Sequence, residues 1–194
     1  MSQEAALTLL RKFFQEGIDM SSVEATYWFK DKLQFAGNIK TSSVIDSMGA
    51  GKSRLAAGRM YLFGYKPKGS MELPFFDRFP LVLPLQRERG GFLGINFHYL
   101  HPNDRAAYFN DLQMFVDDES FDLNPDATIA ITYSKIKRLS SAYKPTIKRY
   151  YYSHIVTKAI EIPPIYWKFF LFLPVDRFAK IMREEVWKQS RRMI

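Results

Sequence analysis

Residues 60–100 read MYLFGYKPKGSMELPFFDRFPLVLPLQRERGGFLGINFHYL, and the reading of this stretch decides the fold. Three apolar runs lie in it: Met60 to Tyr65, Pro80 to Leu85 and Gly91 to Leu100. Between them stand Lys66-Pro67-Lys68-Gly69-Ser70 and Arg87-Glu88-Arg89-Gly90-Gly91. Aromatic and branched side chains between Gly/Pro punctuation predict short antiparallel strands joined by turns. The core is expected here, with flanking helices packed onto it. No residue of the stretch is an obvious catalyst.

In a strand, Tyr61, Phe63 and Tyr65 share one face. A core face is the expected use, and a base-stacking platform is its rival. The prolines of Leu73-Pro74-Phe75-Phe76-Asp77-Arg78-Phe79-Pro80 argue against a central strand and predict an aromatic loop across a barrel end. Asp77 reads there as a turn residue and surface charge. Further on, Ile155 to Ile162 and Tyr166 to Leu173 read as two more strands, each closed by proline. Five short strands predict an α+β fold: a small five-stranded antiparallel barrel, SH3-like or OB-like, with N-terminal and inserted helices.

Working outward, apolar spacing from Gln3 to Glu16 predicts a helix stopped at Gly17. Ser21 with Glu24 forms a capping box for a second helix through about Phe35. His101-Pro102-Asn103-Asp104 starts a helix carrying Ala106, Phe109 and Leu112, and Asn124-Pro125-Asp126 starts another carrying Ile129 and Ile136. Asp176 to Met182 and Glu184 to Met193 read as closing helical turns. The expected organisation is a helical segment at 1–37, an extended arm or linker at 38–58, and a barrel domain at 59–194 with a basic tail.

Composition narrows the chemistry. The 194 residues contain no cysteine, which excludes disulfides and thiolate sites. No apolar run reaches the length of a membrane span, and the N-terminus has no signal-peptide pattern. Gly49-Ala50-Gly51-Lys52-Ser53 imitates a P-loop, but Asp46 stands where the motif needs glycine. The acidic run at Asp117 to Asp122 lacks EF-hand spacing. His98, His101 and His154 match no zinc motif, and no nucleophile elbow is present. Neither enzyme activity nor a cofactor is expected.

Charge is the strongest functional signal. The net charge is +8, but residues 1–131 carry −2 and residues 132–194 carry +10. A basic C-terminal third points to a polyanion or to an acidic protein surface. Cations and tyrosines interleave at Lys144, Lys148, Arg149, Tyr150 and Tyr152, and the tail adds Lys188, Arg191 and Arg192. These are the candidate contacts to nucleic acid or an acidic partner. Phe75, Phe76 and Phe79 are candidate protein-interface anchors, with Lys52 and Arg54 on the arm.

Tyr61-x-Phe63-x-Tyr65-x-Pro67, Leu73-Pro74-Phe75-Phe76-Asp77-x-Phe79-Pro80-Leu81 and Gly91-Phe92-Leu93-Gly94-x-Asn96-x-His98-Tyr99-Leu100 form a series of motifs. With Lys144-Pro145-x-Ile147-Lys148-Arg149-Tyr150, Leu173-Pro174-x-x-x-Phe178 and Val186-Trp187-x-x-Ser190-Arg191-Arg192, the series resembles virion proteins of T-even-like contractile-tailed phages, of the DNA end protector-like family. The resemblance covers roughly residues 58–194 and not the N-terminal helices. It implies a non-enzymatic virion protein, assembled in the host cytoplasm, within a hetero-oligomeric assembly of phage structural proteins. Contact with packaged double-stranded DNA at the head–tail junction is the sharper expectation. The alternative is a tail or baseplate adaptor that binds neighbouring subunits without nucleic acid.

Overall fold

The computed structural model describes residues 8, 11–13, 15–18, 23–33, 55–113, 129, 136 and 141–193. The labelled helices are α1 (Val23–Leu33), α2 (Pro102–Gln113), α3 (Trp167–Phe172) and α4 (Arg183–Arg192). The strands are β1 (Met60–Leu62), β2 (Phe76–Asp77), β3 (Leu81–Glu88), β4 (Gly91–Asn96), β5 (Ile147–Tyr151), β6 (Ile160–Ile162) and β7 (Phe178–Ala179).

Five strands form one antiparallel sheet in the order β5-β4-β3-β1-β6, and β2 pairs with β7 as a separate ribbon. The α+β class and the five-stranded antiparallel sheet therefore match expectation. A single bridge, Tyr65↔Ile155, draws the continuation of β1 toward the chain just past β5. No ladder joins β5 to β6 among the described residues, so closure into an SH3-like or OB-like barrel is not seen.

Strand periodicity sorts the side chains onto two buried faces. Met60, Leu62, Leu81, Leu83, Ile95, Ile160 and Ile162 point into the main core, which α1, α2 and α3 cover. Tyr61, Val82, Phe92 and Tyr150 point the other way and build a second, aromatic core with Phe63 and Tyr65. Burial of Tyr61 (1% exposed), Phe63 (0%) and Tyr65 (6%) decides between core face and stacking platform: these rings are core. Pro84 is tolerated inside β3 because the ladder shifts register between Pro84 and Gln86, and the Pro84 carbonyl accepts from Gly58 N–H at 2.9 Å.

Two strand assignments are corrected. Residues 166–173 are helical, not a strand. All six residues of α3 are buried, Lys168 included, so the segment has no exposed face and periodicity carries no signal. Trp167 begins it and donates from Nε1 to the Ile162 carbonyl at 2.6 Å. The fifth strand is instead β5, cut from the basic-aromatic segment. The Gly91 run ends as strand at Asn96, whose side chain accepts from His98 N–H at 3.0 Å and turns Phe97–Tyr99 into a 3₁₀ turn.

Smaller departures follow the same logic. Phe76 and Asp77 form β2 rather than plain loop, because β7 supplies a partner at Phe178–Ala179, inside the expected 176–182 helical turn. Ile129 donates to the Gly58 carbonyl at 3.0 Å in an isolated bridge, not a helix, whereas Ile136 is helical and buried.

The N-terminal helices pack on the same core as the sheet. Phe13 is buried, and Gly17 at φ 68° lies just beyond the described helical residues, in the left-handed conformation of a helix stop. Phe29 of α1 stacks on Phe13 at 4.5 Å and meets Phe169 of α3 edge-on at 5.6 Å. The end of the arm is anchored too: Leu55 is buried, and Ala56 N–H donates to the Tyr61 hydroxyl at 3.0 Å. Residues 38–54 of the arm, with Lys52 and Arg54, lie outside the described residues.

Candidate functional site

The loop between β1 and β2 folds across the aromatic face of the sheet. It leaves a cleft of about 300 Å³ lined by Tyr65, Pro67, Leu73, Pro74, Phe75 and Phe76 on one side, and by Asn96, Tyr99, Lys148 and Arg149 among the sheet-side residues. The loop is pinned by Lys180, whose Nζ donates to the carbonyls of Met71 and Leu73 at 2.7 and 2.8 Å. Lys180 holds φ 68°, an unfavourable conformation for a non-glycine residue.

The floor of the cleft is a buried polar network, in which His98 Nε2 is left without a hydrogen-bond partner among the described residues. Asp77 is buried, and its Oδ2 meets His98 Nδ1 at 2.8 Å and accepts from Asn96 Nδ2 at 3.1 Å. Its Oδ1 accepts from Phe79 N–H at 3.0 Å. This corrects the reading of Asp77 as a surface charge: β2 turns its side chain inward. Deeper still, the buried Arg105 donates to the carbonyls of Leu100 (2.8 Å) and Leu171 (3.1 Å) and faces Asp176 at 3.5 Å. Burial disfavours the Asp176 charge, but Arg105, His98 and Arg183 outweigh it and hold the carboxyl below its usual value.

Lys148 differs from these groups. Its Nζ lies 4.0 Å over the Tyr99 ring and makes no hydrogen bond or ion pair among the described residues. Burial alone pushes its pKa down to about 8. Period two in β5 puts Lys148 on the opposite face from Arg149, so these neighbours do not act side by side. Arg149 is exposed, pairs with Glu88 at 2.7 Å and lies over the Tyr151 ring. Tyr150 is buried against Phe92, so it is core rather than contact. Tyr152 is half-buried and also packs on Phe92.

A second basic patch lies on α4. Lys188, Arg191 and Arg192 are exposed at helical i, i+3, i+4 spacing and line an open groove with His101, Glu184 and Trp187. Trp187 anchors the helix by donating from Nε1 to the His98 carbonyl at 3.0 Å. Arg191 pairs with Asp104 at 3.1 Å, and Lys188 stands 3.9 Å from Glu185. Lys144 is exposed just before β5.

The model of the phage T4 terminal DNA protecting protein family matches residues 5–190. The chain belongs to that family. No match is found among curated proteins or among solved structures. The family match reaches back to residue 5, so it includes the N-terminal helices that the motif resemblance left out. The shared core of α1 and α3 gives a physical reason for one continuous unit.

Within this family member, the predicted cations fall into two groups: Lys148 and Arg149 at the cleft, and Lys188, Arg191 and Arg192 on α4. Phe75 and Phe76 are half-buried cleft walls, and Phe79 is half-buried against the main core. None of the three is a fully exposed anchor. Sequence reasoning missed Tyr99, Asn96 and Trp187. Tyr99 and Asn96 were hidden because the predicted strand ran straight through them. Among the described residues no group of three or more His, Cys, Asp or Glu could hold a metal ion, and no helix is long and apolar enough to cross a membrane.

Proposed function

We propose that this protein is a non-enzymatic virion structural protein that protects the ends of packaged double-stranded DNA, seated at the head–tail junction beside other phage structural proteins. The observation that carries the reading is the family match over residues 5–190. The charge partition supports it, with +10 concentrated in residues 132–194. So does the exposure of Lys144, Arg149, Lys188, Arg191 and Arg192: Arg149, Lys188 and Arg191 pair with Glu88, Glu185 and Asp104, but all five side chains reach solvent, where phosphates can meet them, and the buried Tyr150 does not. Binding of this kind is dominated by counterion release and is sequence-independent.

Neighbouring subunits have a candidate surface as well. Met71 (87% exposed) and Leu73 (37%) project from the loop that roofs the cleft. Apolar side chains at a loop tip suit a protein partner better than a phosphate backbone.

The test is binding of the purified chain to a linear duplex and to a covalently closed circle, titrated across salt, followed by exonuclease digestion of the linear duplex. End-dependent binding and slowed digestion are the expected results. Absence of binding at low salt would sink the DNA reading and leave the adaptor role.

A further inference from the structure

Lys148 is the group whose position the fold does not explain. It is a largely buried amine without an anionic partner among the described residues, held against the Tyr99 face in a cleft whose walls include Phe75, Phe76, Pro67, Pro74 and Leu73 and whose floor carries the hydrogen-bonded Asp77 and Asn96. Replacing such a group by an apolar side chain would relieve a desolvation cost, so its presence points to an anion supplied from outside. Lys66 and Lys68, both exposed, flank Pro67 at the rim.

We infer that this cleft takes the unpaired terminal nucleotide of a DNA strand, with its base against the aromatic and proline walls and its phosphate at Lys148. The inference rests on the DNA-end reading and deepens it: α4 and the exposed cations hold the duplex, and the cleft recognises that it ends.

Three observations select this occupant. The volume of about 300 Å³ is at the lower limit of small-molecule pockets, so it admits one nucleotide and not a run of single strand. Aromatic walls beside cations are the combination that holds unpaired bases irrespective of sequence. The polar floor offers no base-reading pattern, because Asp77 and Asn96 already satisfy each other, His98 and the backbone. Recognition is therefore of a terminus, not of a sequence. A depressed amine pKa fits this role, since a bound phosphate restores the charge that burial disfavours.

The experiment uses the full chain and three DNAs: a covalently closed circle, a blunt linear duplex and a linear duplex with one unpaired 5′-phosphorylated nucleotide at each end. Opening a blunt pair costs energy, so the overhang duplex is expected to bind about tenfold tighter than the blunt one. Phe75→Ala and Lys148→Met are each expected to lose about tenfold on the overhang duplex and nothing on the circle. Retained circle binding reports that the variants fold. In parallel, 5-iodo-2′-deoxyuridine at the terminal position is expected to photocrosslink to cleft residues, and at the fifth position it is expected to miss them. Variants that keep the full end preference, or terminal crosslinks that all map outside the cleft, overturn the inference while leaving DNA-end protection intact. An unmodified chain that binds circle and ends equally overturns both.

Discussion

At the residue scale, Lys148 makes a pH-dependent prediction. Its pKa is about 8 in the folded chain, below the ordinary 10.5. Between those values the unfolded chain binds more protons, so this group makes stability rise with pH across that window. Below pH 8 the full desolvation cost is present. Lys148→Met is therefore expected to stabilise the free protein at pH 7 by about 1–3 kcal/mol, with the gain shrinking toward pH 10.5. Denaturant melts of the two proteins at several pH values check this, and a destabilised variant at pH 7 would refute it. Removing the Asp77 side chain is expected to change stability in the other direction. Its carboxylate holds His98, Asn96 and the Phe79 N–H, all at 2.8–3.1 Å. Asp77→Ala strands those groups and should cost about 2–5 kcal/mol in the same melts.

At the element scale, β4 and β5 meet where Gly91 lies opposite Tyr151. A Cβ on Gly91 would overlap the Tyr150 carbonyl oxygen. Gly91→Ala must therefore shift β5, and with it both Lys148 and Arg149. The expected result is a loss of more than about 2 kcal/mol in stability, with faster amide exchange along β5 than along β1. Exchange unchanged along β5 would show that the backbone absorbs the methyl elsewhere. The elements also show where the sequence was legible. Hairpin β3–β4 was readable because Arg89-Gly90-Gly91 punctuates two apolar runs and Gly90 takes φ 73°. Helix α3 was not, because Trp167 to Phe172 is buried on every side and a fully buried segment has no period. Strand β5 reads as a contact segment because Ile147-Lys148-Arg149-Tyr150-Tyr151 carries adjacent cations and no clean apolar/polar alternation. The sheet then sent Tyr150 inward and Arg149 outward.

At the scale of the whole molecule, the basic third is the property that binding measurements will sense. With about five phosphate contacts, the log–log slope of affinity against salt on duplex DNA should lie near −4 to −5. Removing exposed cations changes that slope: Arg191→Glu with Arg192→Glu should flatten it by about two, uniformly across sequences, with the melting midpoint nearly unchanged because both side chains are exposed. An unchanged slope would move the duplex contact away from α4. The same double substitution should spare the preference for an unpaired end, which the cleft sets. The two basic groups are thus separable by experiment. They share one mechanical link, the 3₁₀ turn Phe97–Tyr99, which gives Tyr99 to the cleft and the His98 carbonyl to Trp187 of α4.

Local rules operating on residue order alone determined much of this protein. Gly/Pro punctuation and two-residue alternation placed β1, β3, β4 and β6, helical spacing placed α1 and α2, and counting charges separated a neutral majority from a basic third. Family membership was also visible in the motifs between residues 58 and 194. Only the tertiary structure decided which charges are available. Burial is a property of what packs on top, so Asp77, Arg105 and Asp176 could turn inward as partners while Lys148 became a largely buried amine without an anionic partner among the described residues. The cleft itself joins a loop at residues 66–75 to a strand at 147–151, and no local pattern connects two segments that lie far apart in the chain and meet only in the folded sheet.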